Sequence, residues 1–405
     1  MSKFLAVFLL GLLAIVNGQQ AAEINPGVTY QLIRGLGGIN LPDWIADLSE
    51  TQTRKAFTNG ADCLGFSILR VFVSDNSNAW SKSVKTAKLA QSLGAVLFAT
   101  PWNPPSYMTE NFSGGGRTGK RLKKANYGDY ANHLNNFVKY MKGQGVTIYA
   151  ISVQNEPDYA HEWTWWTPEE CVDFLANHAG KITGAKVMSP ETFQYNKNYY
   201  NAILKNANAN RNVHVWATHF YGTQRSQMDF PALEQDSREI WMTEVYVPNS
   251  SSDADTWPEA VEVAVNIHNA FVVGGMSVYT WWYIRRSYSP LKENGNISKR
   301  GYMMAQFSKY VRPGAVRISA TEQPASGVYI SAYKNYDGKL VVVCVNNGSQ
   351  SYAQRYNFKN FTVKSVNRYM TSSSGNLVET RNLAITNNGF YAQTNSKTVS
   401  TFVIS

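Results

Sequence analysis

Apolar residues recur in two alternating patterns between about residue 28 and residue 290. Short runs rich in β-branched and aromatic residues are followed by longer segments in which apolar residues return every three or four positions. We predict eight strands from the short runs: residues 32–39, 68–73, 96–100, 148–153, 186–189, 213–218, 240–245 and 277–283. Strands that alternate with helices favour a parallel sheet, and eight such units favour a closed (β/α)8, or TIM, barrel, an α/β fold.

The longer segments carry helix signals. Residues 130–141 place their apolar side chains on one helical face, and Gly143 is a helix stop. Residues 167–170 read Thr-Pro-Glu-Glu, a capping box with proline at the first helical position. Pro258 is expected to open a helix that runs through His268, which is predicted to be a surface or core histidine rather than a ligand.

The helical spacing ends near residue 312. Residues 328–333, 340–345, 361–369 and 399–404 are typical of strands, and Asp-Gly or Asn-Gly turn sequences stand at 337–338, 347–348 and 388–389. This pattern predicts an antiparallel β-sandwich. Because no proline- or serine-rich linker precedes it, we expect the sandwich to pack against the barrel.

The first residues predict a targeting segment. Lys3 precedes an apolar run over residues 4–16, and small residues follow around Gly18. This run is short for a membrane span, and no later stretch is long and apolar enough to be one. Residues 1–18 are interpreted as a secretory signal peptide, so the protein is expected to be secreted, extracellular and free of the membrane after its removal.

Composition narrows the function classes less than the pattern does. The 11 Trp and 24 Tyr suit either a sugar-binding cleft or a large core. The formal net charge of +10 comes with no nucleic-acid motif, so it fits attraction to acidic polysaccharides or simple solubility. Cys63, Cys171 and Cys344 form no metal motif and leave one disulfide or free buried thiols equally open.

Two glutamates follow predicted barrel strands. Glu156 lies in Val-Gln-Asn-Glu-Pro after the fourth strand, and Glu244 lies in Trp-Met-Thr-Glu-Val-Tyr at the end of the seventh. The carboxyl ends of barrel strands open onto one mouth, so the two carboxylates are expected to meet there. Glycoside hydrolysis needs such a pair, one to protonate the leaving oxygen and one to attack the anomeric carbon. The alternative, two unrelated surface or ion-paired glutamates, fits this placement poorly.

The chain resembles family 30 glycoside hydrolases, and within them the glucuronoxylanase (glucuronoarabinoxylan endo-1,4-β-xylanase) subgroup. The segments that carry the likeness are GLGG at 35–38, TPWNPP at 100–105, NEP at 155–157, WWYIRRSY at 281–288, SKRGY at 298–302 and YVRPG at 310–314, together with Glu244. The likeness extends over essentially the whole chain after the signal. It implies a barrel over residues 34–311 and a side β-sandwich domain over 312–405 that also takes in residues 19–33.

The resemblance also implies roles for residues at the mouth. Glu156 is expected to be the acid/base and Glu244 the nucleophile, while Asn155 hydrogen-bonds the sugar 2-hydroxyl. Tyr221 is expected to steady the nucleophile. Arg70 either keeps Glu244 ionised or forms a structural barrel ion pair, two possibilities that look identical in sequence.

Aromatic residues are expected to hold the sugar chain. Trp102, Tyr159 and Trp282 are expected to form sugar platforms, with a core position as the less favoured alternative for each. His219, two residues before Tyr221, is expected to support the site. No cofactor or metal is implied.

The loop after the eighth strand is expected to set specificity. By resemblance, Arg286, Tyr288 and Tyr283 clamp a methylglucuronate branch, with Tyr246 across the cleft, because a guanidinium fork fits a planar carboxylate. The neighbouring Arg285 is expected to be structural.

Five Asn-x-Ser/Thr sequons follow the signal. They stand at Asn111, Asn249, Asn296, Asn347 and Asn360. Where some family members place a uronate-binding serine, this chain reads Pro-Asn-Ser at 248–250, so the Asn249 region is expected either to contact the uronate or to carry a glycan.

We therefore expect a monomeric, retaining endo-1,4-β-xylanase that acts on glucuronoxylan or another plant cell-wall xylan and is directed by methylglucuronate branches, without a nucleic-acid partner. Another family 30 β-glycosidase, a β-1,6-glucanase or a glucosylceramidase-like enzyme, is the alternative. Those enzymes lack the Arg-Arg-Ser-Tyr clamp, so Arg286 discriminates between them. A catalytically inactive carbohydrate-binding protein is a further alternative, against which the intact Glu156 and Glu244 argue.

Overall fold

The computed structural model describes residues 20–114, 117–159, 163–248 and 253–405. The predicted signal peptide and the predicted contact at Asn249 lie outside this part of the chain. Within the described residues, no helix has the length and apolar character needed to cross a bilayer.

Eight parallel strands close into a barrel in the order of the chain. Barrel strands one to eight are Gly35–Asn40, Ile68–Val73, Val96–Pro101, Ile148–Ser152, Lys186–Thr192, Val215–His219, Ile240–Val245 and Val278–Tyr283. Nearly all of their residues are buried, as expected for strands that face helices on one side and the barrel interior on the other. The predicted α/β barrel is confirmed, and each predicted strand overlaps one barrel strand.

Ten α-helices lie in the described part of the chain. They are Glu50–Phe57, Val84–Ser92, Tyr127–Gly143, Pro168–Asn177, Lys197–Lys205, Ala207–Asn212, Arg225–Met228, Pro231–Glu234, Val261–Val272 and Lys299–Ser308. The capping box at Thr167 is present, with its side chain accepting from the Glu170 amide. The helix expected to open at Pro258 instead begins at Val261. Residues 257–260 form turns, and the Val261 amide donates to the Pro258 carbonyl at 3.0 Å.

The barrel interior is apolar at one end and polar at the other. Near the amino ends of the strands, Phe98 and Trp241 meet edge to face with ring centroids 5.7 Å apart, within a cluster of buried apolar side chains. Strand one approaches strand two closely, since a Cβ at Gly37 would lie 1.7 Å from the Ile68 carbonyl oxygen. Because this apolar cluster fills the amino-terminal end of the barrel, the charged groups of the interior, such as Arg70, lie toward the carboxyl ends of the strands.

A separate ten-stranded sheet forms the side domain, which confirms the predicted fold class. Its strands are Ala22–Ile33, Ala315–Ala320, Val328–Lys334, Leu340–Asn346, Tyr352–Phe358, Val366–Thr371, Val378–Thr380, Ile385–Thr386, Gly389–Thr394 and Thr398–Ile404. The amino-terminal strand lies between Ala315–Ala320, to which it is antiparallel, and Tyr352–Phe358, to which it is parallel. The chain therefore enters the barrel directly from the side sheet.

The strand expected over residues 361–369 is wrong in its first half, because the observed strand is Val366–Thr371. Phe361 and Val363 bury apolar surface from a loop, and the Val363 amide donates to the Asn388 side chain at 3.0 Å. The nearby turn consists of Asn387 and Asn388, both with positive φ. Local sequence shows the apolar residues but not this long-range amide bond.

A small three-stranded sheet lies after barrel strands three and four. Its strands are Thr109–Gly114, Arg117–Leu122 and Thr164–Trp165. The first two form a hairpin, and the third pairs in parallel with the second.

Elsewhere in the molecule the three cysteines are all free; Cys63 is half-buried, and the other two are buried.

Candidate active site

Glu156 and Glu244 face each other at the carboxyl end of the barrel. Glu244 is the penultimate residue of barrel strand seven, and Glu156 follows barrel strand four by four residues. One carboxylate oxygen of each lies within 4.8 Å of the other, and each residue is 5% exposed. Retaining glycosidases hold their carboxyl groups about 5–5.5 Å apart and inverting ones about 6.5–9.5 Å. The observed separation fits direct attack by one carboxylate.

The backbone of Glu156 is held in an uncommon conformation. Its φ is +44°, in the left-handed region that non-glycine residues adopt rarely and at a cost of about 1–3 kcal/mol. Two main-chain hydrogen bonds hold it there: its amide donates to the Glu191 carbonyl at 3.1 Å, and its carbonyl accepts from the Tyr159 amide at 2.9 Å. The carboxylate is therefore fixed by the main chain as well as by its own contacts.

Both carboxylate oxygens of Glu244 accept hydrogen bonds. Arg70, on barrel strand two, bonds one oxygen through a terminal guanidinium nitrogen. The Tyr221 hydroxyl donates to the other at 2.8 Å. These two donors leave the side chain little rotational freedom, as a nucleophile that must approach one carbon atom requires.

Glu156 is paired with a histidine. Nδ1 of His219, the last residue of barrel strand six, lies 2.8 Å from a Glu156 oxygen. Burial raises the pKa of Glu156 to about 7, and the opposing hydrogen bond from His219 offsets only part of this. Burial lowers the pKa of His219, but the nearby carboxylates of Glu244, Glu156 and Glu191 outweigh it and raise the value to about 9. Near neutral pH, Glu156 can therefore both give and take a proton.

A third carboxylate, which the sequence analysis missed, lies behind this pair. Glu191 is in barrel strand five and fully buried. One of its oxygens is 2.9 Å from a terminal Arg70 nitrogen and 3.3 Å from Nε2 of His219, and Thr100 donates to it as well. Burial acts to raise its pKa, yet Arg70 and His219 bring the pKa below its usual value. A carboxylate at the carboxyl end of a barrel strand is the signal that singled out Glu156, and it was equally readable here.

The cluster suits proton transfer better than metal binding. Ligand atoms of Glu156, His219 and Glu244 lie within 4.8 Å of one another, a spacing a metal ion can also use. His219, however, directs Nδ1 at Glu156 and Nε2 at Glu191, and a histidine with a pKa near 9 carries protons on both nitrogens. Arg70 already neutralises charge beside Glu244.

Asn155 offers an unused donor to the cleft. Its side-chain oxygen accepts from Arg70 at 2.7 Å, which fixes the orientation of the amide. Its Nδ2 is buried and finds no hydrogen-bond partner in the described part of the chain. A buried donor left unmatched costs about 1–3 kcal/mol, so this group is suited to a ligand hydroxyl.

Aromatic side chains form the walls of the cleft around the two glutamates. The lining residues are Trp102, Asn155, Glu156, Tyr159, Trp163, Phe193, Tyr221, Glu244, Tyr246 and Trp282. Tyr159 is 42% exposed and stacks on Phe193 with centroids 4.2 Å apart. Trp102 is only 2% exposed, and the Arg70 guanidinium lies 4.7 Å above its ring. Trp102 therefore forms a back wall that supports Arg70, whereas Tyr159 presents an open face.

Sequence reasoning also missed aromatic residues beside the cleft. Trp44 and Trp163 stack with their rings 5.4 Å apart and 14° from parallel. Trp44 is 42% exposed. Trp163 lines the same cleft as Trp282. These residues belong to loops without a motif, and only their frequency in the sequence hinted at a role.

The loop after barrel strand eight brings a second group together. The Tyr288 ring lies 5.1 Å from that of Tyr246, and the Arg286 guanidinium lies 5.2 Å from the Tyr283 ring centroid. Among the described residues, no carboxylate forms a salt bridge with Arg286. Arg285 turns the other way and bonds Gln52 at 2.8 Å and the Ala46 carbonyl at 2.6 Å. Neither arginine forms a salt bridge among the described residues, but Arg285 is held by neutral acceptors, whereas Arg286 lies beside the Tyr283 ring.

The chain is similar to known proteins in both sequence and fold. Residues 314–402 match the family described as the glycosyl hydrolase family 30 beta sandwich domain. The chain is 50% identical over 405 residues to the glucuronoxylanase XynC of Bacillus subtilis (strain 168), covering 97% of this chain and 96% of that protein.

Two solved structures are similar over the same extent. The GH30 endoxylanase from Clostridium papyrosolvens C71 superposes with a TM-score of 0.88 and 41% identity, over 95% of this chain and 100% of that one. The glycoside hydrolase family 30 subfamily 8 xylanase Xyn30A from Clostridium acetobutylicum gives a TM-score of 0.86 at 31% identity, over 95% and 99%. These likenesses include both the barrel and the side domain.

Proposed function

Because the chain belongs to glycoside hydrolase family 30, we propose that it is a secreted endo-1,4-β-xylanase that hydrolyses glucuronoxylan with retention, directed by methylglucuronate branches. One combination carries the proposal. Two carboxylates within 4.8 Å of each other share a barrel mouth with an arginine, Arg286, whose charge is unmatched among the described residues. The first feature supports a retaining glycosidase, and the second supports an anionic branch on its substrate.

The first chemical step forms a bond to the enzyme. The Glu244 carboxylate attacks the anomeric carbon while the protonated Glu156 gives its proton to the glycosidic oxygen, and the bond between that carbon and oxygen breaks. The product is a glycosyl ester of Glu244 and a free chain end.

The second step reverses the roles. Glu156, now a carboxylate, takes a proton from a water molecule, and the resulting hydroxide oxygen attacks the same carbon as the ester bond to Glu244 breaks. Two successive inversions at one carbon retain the β configuration. The pKa of Glu156, raised to about 7 by burial, supports its use as acid and then as base.

Neighbouring side chains prepare these steps. The unpartnered Nδ2 of Asn155 donates to the 2-hydroxyl of the sugar in the cleaving subsite. Tyr221 and Arg70 hold the Glu244 carboxylate in position. His219 holds Glu156 and keeps a positive charge beside it.

The remaining cleft residues hold the polymer. Tyr159 and Trp282 offer faces to the sugar rings, while the buried Trp102 stiffens the wall behind them. Arg286 forms a bidentate pair with the uronate carboxylate. The hydroxyls of Tyr288, Tyr283 and Tyr246 complete the clamp, and burial raises the pKa of Tyr283 and Tyr288 to about 12, so they remain protonated donors.

The proposed enzyme is secreted and has two domains. Residues 1–18 act as a signal peptide, residues 34–311 are the catalytic barrel, and residues 19–33 join 312–405 as the side domain. The mature enzyme is an extracellular monomer. The Asn249 region either contacts the uronate or carries a glycan.

The test compares polymers. Purified enzyme should release oligosaccharides from glucuronoxylan much faster than from undecorated xylan, and each product should carry a uronate at a fixed distance from its reducing end. Proton NMR of the earliest product should show the β anomer before mutarotation. Equal rates on both xylans contradict uronate direction, and an initial α anomer contradicts retention. Hydrolysis of β-1,6-glucan instead of xylan supports the alternative enzyme class.

A further inference from the structure

We propose that Glu191 is a positioning residue: its buried carboxylate anchors Arg70 and His219 and keeps His219 positively charged beside the acid/base Glu156. This inference rests on the proposed glycosidase function and adds a third carboxylate to it.

Glu191 contacts one residue that is bonded to each catalytic glutamate. Its Oε1 lies 2.9 Å from a terminal nitrogen of Arg70, whose other terminal nitrogen bonds Glu244. The same oxygen lies 3.3 Å from Nε2 of His219, whose Nδ1 is 2.8 Å from Glu156. Glu191 is therefore linked to Glu244 through Arg70 and to Glu156 through His219.

Glu191 itself cannot reach a substrate. The residue is 0% exposed and does not line the cleft, whereas Glu156 and Glu244 do. Thr100 donates to its carboxylate from barrel strand three, two strands away, so the group lies inside the barrel. The Glu191 carboxylate therefore acts on catalysis through Arg70 and His219.

The five directly hydrogen-bonded groups of the site are Arg70, His219, Glu156, Glu191 and Glu244, and their charges balance only when Glu191 is included. In the state that starts the reaction, Glu156 is protonated, Arg70 and His219 are positive, and Glu191 and Glu244 are negative. In the covalent intermediate Glu244 is esterified and Glu156 is negative, so the buried cluster is again neutral. An unbalanced buried charge is costly, and without Glu191 both states would carry one excess positive charge.

The groups that face His219 come from several barrel strands. They are Glu156, Glu191 and Glu244, the cation of Arg70, the phenol of Tyr221 with its ring 6.2 Å from the imidazole, and the buried Asp158. Of the carboxylates, Glu156 and Glu244 change charge during the reaction. Glu191 has no covalent role, so it supplies a constant negative charge.

Removing that charge should change the apparent pKa values of Glu156 and His219 in one direction. Glu156 and His219 titrate as a coupled pair, and every proton bound to the pair is favoured by the negative Glu191. Glu191→Gln should therefore lower each apparent pKa of the pair. The main-chain bond from the Glu156 amide to the Glu191 carbonyl is unchanged by this substitution, so the variant isolates the side-chain charge.

The experiment measures kcat/KM on glucuronoxylan against pH for wild type, Glu191→Gln and a matched control. In the control, Glu239→Gln, the same change is made in a glutamate that pairs with Arg34 where barrel strand seven begins. An opposite charge within about 4–6 Å shifts a pKa by about 1–3 pH units, so the pKa of His219 should fall by about that amount in Glu191→Gln, and the alkaline limb set by the coupled pair should move to lower pH. KM should stay within about twofold of wild type, because Glu191 does not touch the polymer.

Each outcome decides the question. A folded, active Glu191→Gln with an unmoved alkaline limb overturns the inference, and so does an equal shift in Glu239→Gln. If Glu191→Gln does not fold, Glu191→Asp withdraws the carboxylate by one methylene and should move the limb in the same direction by less; an unmoved limb there also overturns the inference. Wild-type enzyme without glycosidase activity overturns the proposed function and this inference with it, whereas activity on another β-glycan overturns only the proposed substrate.

Discussion

Nδ1 of His219 lies 2.8 Å from a carboxylate oxygen of Glu156, and both side chains are buried at the base of the cleft. The contact couples their titration. Burial, the largest influence on Glu156, disfavours its charged form, while the carboxylates around His219 favour the imidazolium. The proton that the first step requires is thereby retained on Glu156 up to near-neutral pH.

The pH profile of the wild-type enzyme follows from this pair. Because the pKa of Glu156 is raised to about 7, the protonated form is present below that pH and is lost as the pH rises through it. We expect kcat/KM on xylan to fall about tenfold per unit above about pH 7, measured by reducing-sugar release at constant ionic strength. A flat profile to about pH 9 contradicts the acid role of Glu156.

The two glutamates should respond differently to substitution. Glu244→Gln should abolish turnover of every substrate, because no covalent intermediate forms. Glu156→Gln should lose most activity on xylan but much less in glycosylating the enzyme with an aryl xyloside whose leaving group needs little protonation. The measurement is a pre-steady-state burst of phenol together with steady-state rates. Equal losses in both variants on both substrates contradict the assignment.

A cluster between the barrel and the side domain gives a stability prediction. Glu322 accepts from Nε2 of His268 at 3.1 Å and from Arg225 at 2.5 Å. The His268 hydrogen bond, opposed by burial and aided by Arg225, lowers the pKa of Glu322 to about 2. The contribution of Glu322 to folding stability is therefore fully present above the usual pKa of a carboxyl group and is lost as the pH falls from about 4.5 toward about 2.

Glu322→Gln should accordingly lower the free energy of unfolding near neutral pH by about 1–2 kcal/mol, since hydrogen bonds to charged groups are worth about 1.5–3 kcal/mol and this site is partly exposed to solvent. Chemical denaturation at about pH 7 and about pH 3 provides the measurement. The deficit should shrink at the lower pH. Glu262→Gln, an exposed position on the same helix as His268, serves as the control and should change little.

The sequence was sufficient for the barrel because the evidence there is local. Each strand is a short apolar run; Glu244 is the penultimate residue of one, and Glu156 follows another by four residues. Glu191 has the same placement but lacked a motif to draw attention to it. Its backbone has φ +57°, a conformation that only the folded surroundings select.

Exposure of the aromatic residues was harder to predict. Trp44 and Trp102 are the same residue type in loops after barrel strands one and three, yet Trp44 is 42% exposed and Trp102 only 2%. Arg70 covers one face of Trp102, a contact between strands that no spacing rule reveals. The loop at Phe361 was predicted as a strand for the same reason. Its apolar residues are buried by distant parts of the chain, and in sequence they look like the buried residues of a strand.

The arginine pair of the strand-eight loop allows a matched test of substrate recognition. Arg286 has no charge partner among the described residues and lies beside Tyr283, while Arg285 is bonded to Gln52 and the Ala46 carbonyl. Losing hydrogen bonds to a carboxylate costs about 1.5–3 kcal/mol, so Arg286→Ala should lower kcat/KM on glucuronoxylan roughly 10- to 200-fold. Arg286→Lys should recover only part of this, because an ammonium cannot form the bidentate pair.

The decisive comparison uses the same polymer with its carboxylates reduced to alcohols. Wild type should lose activity on the reduced polymer, whereas Arg286→Ala should cleave both polymers at similar low rates, because Glu156 and Glu244 are intact. Arg285→Gln removes the same charge one residue away and should keep the wild-type preference, with any loss appearing equally on both polymers. Raising the salt concentration should weaken the wild-type preference modestly, since a pair in a cleft is only partly screened. If wild type cleaves both polymers equally, or if Arg286→Ala loses activity equally on both, Arg286 is structural and only the retaining glycosidase activity remains of the proposal.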